Sequence, residues 1–354
     1  MPRVPESSSA SAATGSILRR HIFVLPYRVC SRRQRRLILQ ASGAALALVA
    51  DPLRAQRTGK LVRIGYLGND GPETQEGRRM VDAFLSEMVR IGWVEGRRVV
   101  YEFRFASGVY ERFGAQAQEL VAAKVDLIVA TSTNCAIAAK QTTSNIPVVF
   151  IAGDPIENGL IASLARPEGN LTGLASLADP LLAKRMQLLT QAVPGIARVA
   201  YLGVNETRTV QVVQATAKAL KVELLLAHAQ GPDDVARAIR SGARADAWLV
   251  DTYEIFNSQR TRIVELIAAQ NQPAIYSQIP WVHAGGLMAF AASLEDMHRR
   301  AAGYVDRLLR GAKPADLPVE EPREFVLAVN LKTAHGLGIK LARSVMLQAS
   351  EVIE

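Results

Sequence analysis

Cysteine is nearly absent: Cys30 and Cys135 are the only two in 354 residues, too few for a disulfide framework or a Cys-based zinc site. Histidine is scarce too. His21, His228, His283, His298 and His335 are scattered, with no His-x-x-x-His or Glu-x-x-His pair to suggest a helical metal site. Neither a Gly-x-Ser-x-Gly elbow nor a Gly-Lys-Ser/Thr phosphate loop occurs, and Gly336-Leu-Gly338 lacks the third glycine of a dinucleotide fingerprint. Without a paired acid and base, no enzymatic reaction, cofactor or metal is expected. Long Ser, Gln or Pro tracts are missing beyond the first dozen positions. With 49% hydrophobic and 21% charged residues, the chain is not mostly disordered. It can bury a large core, arranged as two packed units or one large α/β unit.

A formal net charge of +9 suggests a nucleic-acid partner until it is divided along the chain. Residues 1–55 hold nine arginines against Glu6 and Asp51, a net of +7, which leaves +2 for everything after. The basicity belongs to the leader, and no nucleic-acid partner is expected for the body.

That leader has the order of an export signal. The basic run Ser31-Arg-Arg-Gln-Arg-Arg36 precedes an apolar stretch from Leu37 to Ala50, and Ala55 offers a small residue for cleavage. The stretch is fourteen residues long, short of the roughly 20 that a membrane-spanning helix needs. Its paired arginines and weak hydrophobicity allow a twin-arginine signal. Cys30 precedes the apolar run, so no lipid attachment is expected. The mature chain is expected to begin near Gln56 in the periplasm; the alternative is a disordered basic arm before a cytosolic domain.

From Leu61 onward, short apolar strands alternate with amphipathic helices, as in βαβ units around a parallel sheet. Val62–Leu67 reads as a buried strand. Met80, Val81, Phe84, Leu85, Met88 and Val89 follow at helical spacing until Gly92. Strands at 99–105, 126–130 and 147–151 and helices at 111–123 and 134–143 complete the set. The order then repeats. Arg63-Ile-Gly-Tyr-Leu-Gly68 recurs as Arg198-Val-Ala-Tyr-Leu-Gly203, residues 124–130 as 244–250, and 145–150 as 271–276, at offsets of 135, 120 and 126. Such offsets are similar enough for equivalent strands and too uneven for a solenoid. The predicted fold is therefore α/β, with two similar doubly wound lobes on parallel sheets. Residues 56–173 and 290–318 are assigned to lobe 1, and 174–289 and 319–354 to lobe 2.

Two such lobes hold ligands where loops at the strand C-termini converge. Five polar loops qualify: Gly68-Asn69-Asp70-Gly71, Thr131-Ser132-Thr133-Asn134, Ala152-Gly-Asp154-Pro155, Asp251-Thr252-Tyr253 and Tyr276-Ser277-Gln278. Thr131, Ser132 and Thr133 could hold a carboxylate at a helix N-terminus, or Thr133 could simply cap that helix. Asp154 before Pro155 reads as a ligand group or as a cap. Asp251 would pair with an ammonium, while Tyr253 and Tyr276 would wall an aromatic or branched side chain. Cys135 reads as a small buried side chain. Ser293-Leu-Glu-Asp296 reads as a capping box opening a long helix.

Ordered phrases from Val62 to Glu354 give the chain a family resemblance. They include Gly92-Trp-Val-Glu-Gly96, Ile146-Pro-Val-Val-Phe150, Gly153-Asp-Pro155, Gly169-Asn-Leu-Thr-Gly173, Lys184-Arg185, Pro273-Ala-Ile-Tyr276, Ala284-Gly-Gly-Leu-Met288, Gly311-Ala-Lys-Pro-Ala-Asp-Leu-Pro-Val319 and Asn330-Leu-Lys-Thr333. The chain resembles the tryptophan/tyrosine-type substrate-binding proteins of ABC transporters. The resemblance implies a type 1 periplasmic binding-protein fold, capture of an amino acid or other small carboxylate by hinge closure, and delivery to permease subunits at the inner membrane. A monomer without cofactor is expected. Ser132-Thr133-Asn134 departs from the small trio, often Gly-Thr-Pro, that the family has there. The other readings are a ligand-sensing regulator of the same fold, for which no helix-turn-helix precedes Leu61, and an enzyme of unassigned chemistry.

Overall fold

The computed structural model describes residues 61–354 other than 108, 110, 177 and 252. The expected export signal and Thr252 therefore lie outside the described residues.

The first sheet is built from β1 (Val62–Gly68), β2 (Val99–Phe105), β3 (Leu127–Ala130), β4 (Val148–Ala152) and β5 (Leu171–Ala175). All pairings are parallel, in the order β2-β1-β3-β4-β5. β3 and β4 are covered on both faces, which is why they read as unbroken apolar runs. Between them lie α1 (Gln75–Arg90), α2 (Arg112–Ala122) and α3 (Thr133–Thr142). α1 begins a turn before its apolar stripe because the Thr74 hydroxyl caps it, accepting the Gly77 N–H at 2.9 Å. Val81, Phe84 and Met88 face the sheet, and Gly92 reverses the chain at φ +93°.

The second sheet follows α4 (Ala178–Ala192) and contains β6 (Arg198–Gly203), β7 (Glu223–His228), β8 (Ala247–Val250), β9 (Ala274–Tyr276) and β10 (Met288–Ala292). α5 (Thr207–Leu220), α6 (Val235–Ser241), α7 (Glu254–Asn257), α8 (Arg260–Ala268) and α9 (Pro280–His283) connect these strands, and α10 (Leu294–Leu309) follows β10. β11 (Phe325–Asn330), α11 (Leu331–Gly336), α12 (Arg343–Met346) and β12 (Glu351–Ile353) complete the chain. The order is β12-β11-β10-β9-β8-β6-β7, with β11 antiparallel to β10. Taken from β7 to β10, this repeats the order of the first sheet. The three sequence echoes fall on β1 and β6, β3 and β8, and β4 and β9, giving the two doubly wound lobes that the repeat predicts.

Each sheet is packed on both faces. After β10 the chain returns to the first lobe, where Met297, Ala301 and Val305 of α10 pack with Val81, Phe84 and Met88. Three segments cross between lobes. β5 leaves the first sheet after Ala175, β10 leaves the second after Ala292, and residues 317–324 run beside both. Ala175 N–H donates to Glu320 O at 2.9 Å, Glu320 N–H to Gly173 O at 3.2 Å and Ser293 N–H to Glu324 O at 2.9 Å. Gly173, at φ +154°, lies so close to β4 that a Cβ would stand 2.0 Å from Phe150 O.

The capping box at α10 is only half formed. Ser293 accepts the Asp296 N–H at 3.2 Å, but the Asp296 carboxylate takes Arg300 at 3.4 Å instead of reaching back. The Ser293 N–H is already used by the crossing at Glu324.

Candidate functional site

Two ion pairs show which ends of the sheets face each other. Glu76, in the first turn of α1, meets Arg260 at the start of α8 at 3.9 Å, and Glu157, in the loop after β4, pairs with Arg208 of α5. The C-terminal ends of the two sheets are thus opposed, with one pair on either flank of the cleft. Burial pushes the Glu76 carboxyl up, and Arg260 opposes that shift.

On the first-lobe side the cleft is rimmed by the loops after β1, β3 and β4. Asn69 Nδ2 donates to the exposed Asp70 carboxylate at 3.2 Å, while Asn69 Oδ1 is shielded from solvent and has no partner. The Thr131 hydroxyl donates to Leu67 O at 3.2 Å. Ser132 caps α3 by accepting the Cys135 N–H at 3.2 Å, and Thr133 Oγ1 accepts the Gly153 N–H at 3.0 Å. The cap is therefore Ser132, one residue before the position expected, while Thr133 ties the β3 loop to the β4 loop. Because both accept, each keeps a hydroxyl proton to donate. Cys135 is fully buried.

Asp154 does not cap a helix, because none begins at Pro155. Its backbone takes φ +39°, and its carbonyl accepts the Asn158 N–H at 3.0 Å, closing a turn. The loop holds this half-buried side chain beside Gly153 at the end of β4.

On the second-lobe side, Asp251 is 6% exposed and accepts the Tyr201 hydroxyl at 2.5 Å. Burial pushes the Tyr201 phenol up, and the neighbouring Asp251 charge pushes it the same way. Gly203 makes this contact possible, since a Cβ there would stand 2.3 Å from the Tyr201 ring. The Tyr253 hydroxyl donates to Glu206 at 2.7 Å, and its ring meets Phe256 edge-on at 5.9 Å. Ser277 is buried, and its Oγ has no partner.

Tyr276 does not wall the cleft. Its ring is 1% exposed and stacks on Trp281 at 5.0 Å within the second-lobe core. The structure thus gathers Asn69, Asp70, Thr131, Ser132, Thr133 and Asp154 on one rim and Asp251, Tyr253 and Ser277 on the other.

Sequence reasoning missed Tyr201 and Arg185, the buried partners of the second rim. Tyr201 had a signal: it is the counterpart of Tyr66 in the repeated phrase, and Thr131 and Asp251 follow equivalent strands beside those two. Among the described residues, no group of three or more His, Cys, Asp and Glu converges as a metal site, and no helix is long and apolar enough to cross a membrane.

Two doubly wound lobes with opposed strand ends define the type 1 periplasmic binding-protein fold. The model of the ABC transporter substrate binding protein family matches residues 78–353, and the chain belongs to that family. A curated relative, the tyrosine-binding protein of Clostridioides difficile, is 26% identical over 264 residues, 73% of this chain and 76% of the relative. Among solved structures, an ABC domain from Streptococcus pneumoniae in complex with L-Trp superposes with a TM-score of 0.74 at 23% identity, covering 83% of this chain and all of that one. The ligand-free, open form of a substrate-binding protein with adhesive properties from Clostridium difficile gives 0.67 at 20% identity, covering 83% of this chain and 99% of that one. At these identities the structural matches carry the fold.

Proposed function

We propose that the protein captures an L-aromatic amino acid in the periplasm and hands it, unaltered, to ABC permease subunits at the inner membrane. The observation that carries this reading is an unlike pair at equivalent places in the two lobes: Thr131 with its hydroxyl-rich helix start, and Asp251 with its carboxylate. The Ser132 and Thr133 hydroxyls and the α3 N-terminus receive the ligand carboxylate. Asp251 receives the ammonium. Tyr253 lies along the side-chain end.

Asn69 Oδ1 and Ser277 Oγ support the same placement. A shielded polar atom without a partner costs about 1–3 kcal/mol, which a ligand donor or acceptor would offset. Tyrosine and tryptophan are the first candidates because relatives are named for them or hold them. Closure turns on the crossings near Gly173, Phe290 and Glu320, and the protein acts as a monomer without cofactor or nucleic acid.

Calorimetric titration of the mature chain with L-tyrosine and L-tryptophan, followed by small-angle scattering at saturation, tests the reading. Saturable binding with a smaller radius of gyration is expected. Absence of binding to either, or catalytic consumption of the ligand, would overturn it.

A further inference from the structure

One arginine joins the cleft to a strand that leads across between the lobes. Arg185 lies in α4 and is 3% exposed. Its Nε donates to Phe290 O at 2.7 Å and its Nη2 to Ser277 O at 3.1 Å. Ser277 directly follows β9 at the cleft. Phe290 is the middle residue of β10, the strand that leads into the second crossing, and its ring packs against the cores of both lobes. The same ring stacks on Phe325 at 5.7 Å.

Two carbonyls satisfy part of the guanidinium but do not balance its charge. Burial lowers the Arg185 pKa to about 10, and the nearby Asp251 resists that fall more than Tyr201 does. Leu249 of β8 pairs with Ile275 of β9, a register that sets Asp251 beside Ser277, so this carboxylate lies by the carbonyl that Arg185 holds and offsets part of its charge. A planar fork can reach two backbone acceptors at once, which a lysine ammonium on its flexible stem does poorly.

We propose that Arg185 is a positioning residue that braces the cleft end of β9 against β10 and, through Asp251, couples ligand occupancy to lobe closure. When a ligand ammonium approaches Asp251, it competes for the charge that balances Arg185. The guanidinium carries that change to the Phe290 carbonyl, four residues before α10 begins at Leu294. The ligand half of this proposal rests on the amino-acid-binding reading; the bracing half does not.

The test separates the two halves. Arg185→Lys keeps the charge, and Arg185→Gln removes it. Hydrogen exchange in the ligand-free full chain should speed up about tenfold at residues 277–279 and 289–293 in Arg185→Lys, with β6 and β8 unchanged. Unchanged exchange, or a uniform rise across the second lobe, would overturn the bracing. If Arg185→Gln does not fold, the lysine variant still decides.

For the coupling, L-tyrosine affinity is measured for Arg185→Lys, Asp251→Asn and the double variant. Arg185→Lys should weaken binding about tenfold alone, but less than about twofold once Asp251 is Asn. Additive losses would contradict the coupling. A wild-type chain that binds neither L-tyrosine nor L-tryptophan would remove the ligand half together with the functional reading, while the exchange result still decides the bracing.

Discussion

Tyr66 in the first lobe and Tyr201 in the second occupy the same place on the strands that open their sheets. The Tyr201 hydroxyl donates to Asp251, just past the next strand inward, and Thr131 stands at the equivalent place after β3 in the first lobe. The backbone repeats as well: Thr131 N–H donates to Leu67 O and Asp251 N–H to Leu202 O, both at 3.0 Å. One scaffold therefore ends in a neutral hydroxyl beside a helix N-terminus on one side and in a carboxylate backed by a buried arginine on the other. A zwitterion between such rims has one electrostatically favoured orientation, with its carboxylate toward the first lobe. The repeat supplies the fold, and the departure from it supplies polarity.

Making the two rims alike should have the largest effect. Thr131→Asp would place a carboxylate beside the seat that the proposed reading gives the ligand's own carboxylate, so L-tyrosine affinity should fall by more than about a hundredfold. Titration with circular dichroism as a control checks this; wild-type affinity in a folded variant would break the comparison.

A second difference lies in acid sensitivity. His298, buried in α10 of the first lobe, is pushed down to about 4 by burial, although its hydrogen bond to Leu294 O works the other way. It stays neutral in the fold while the unfolded chain takes up a proton near pH 6.5. Its contribution is complete above about pH 6.5 and is lost as pH falls to about 4, roughly 3 kcal/mol in all. Hydrogen exchange between pH 7 and 4 should loosen the first lobe before the second, and His298→Gln should remove that order. Equal loosening of both lobes in the wild type would contradict it.

The smallest effect belongs to the flanking ion pair Glu157–Arg208, whose side chains are 52% and 54% exposed. Exposed pairs contribute little, so Arg208→Glu should change affinity less than about fivefold, and Glu157→Arg in the same chain should restore it. A loss above tenfold would make the flank part of the site.

Much of the fold could be read along the chain, because β3 and β4 are apolar throughout and the phrase at Arg63 returns at Arg198. Asp251 was visible as an acid directly after an apolar strand. Its partners were not, because contacts between strands depend on register: Tyr201 is 50 residues away, and the carbonyls that hold Arg185 lie 92 and 105 residues from it. Tyr276 misled for a related reason. It is the last residue of β9, but alternation along the strand turns its ring to the face that carries Trp248 and Trp281. The shift of the α3 cap from Thr133 to Ser132 has a local cause: two adjacent hydroxyls can both serve, and the N–H of Gly153 claims Thr133.

The polarity of the cleft is tested most directly with three ligands that share a phenol ring: L-tyrosine, tyramine, which lacks the carboxylate, and 3-(4-hydroxyphenyl)propanoate, which lacks the amine. Wild type should prefer L-tyrosine to either by about ten to a hundredfold. Asp251→Asn should lose most of the preference over the amine-free compound and keep the preference over tyramine, whereas Ser132→Ala with Thr133→Val should do the reverse. Preferences that fall together in both variants, or that survive in both, would contradict the assignment of one charge to each lobe.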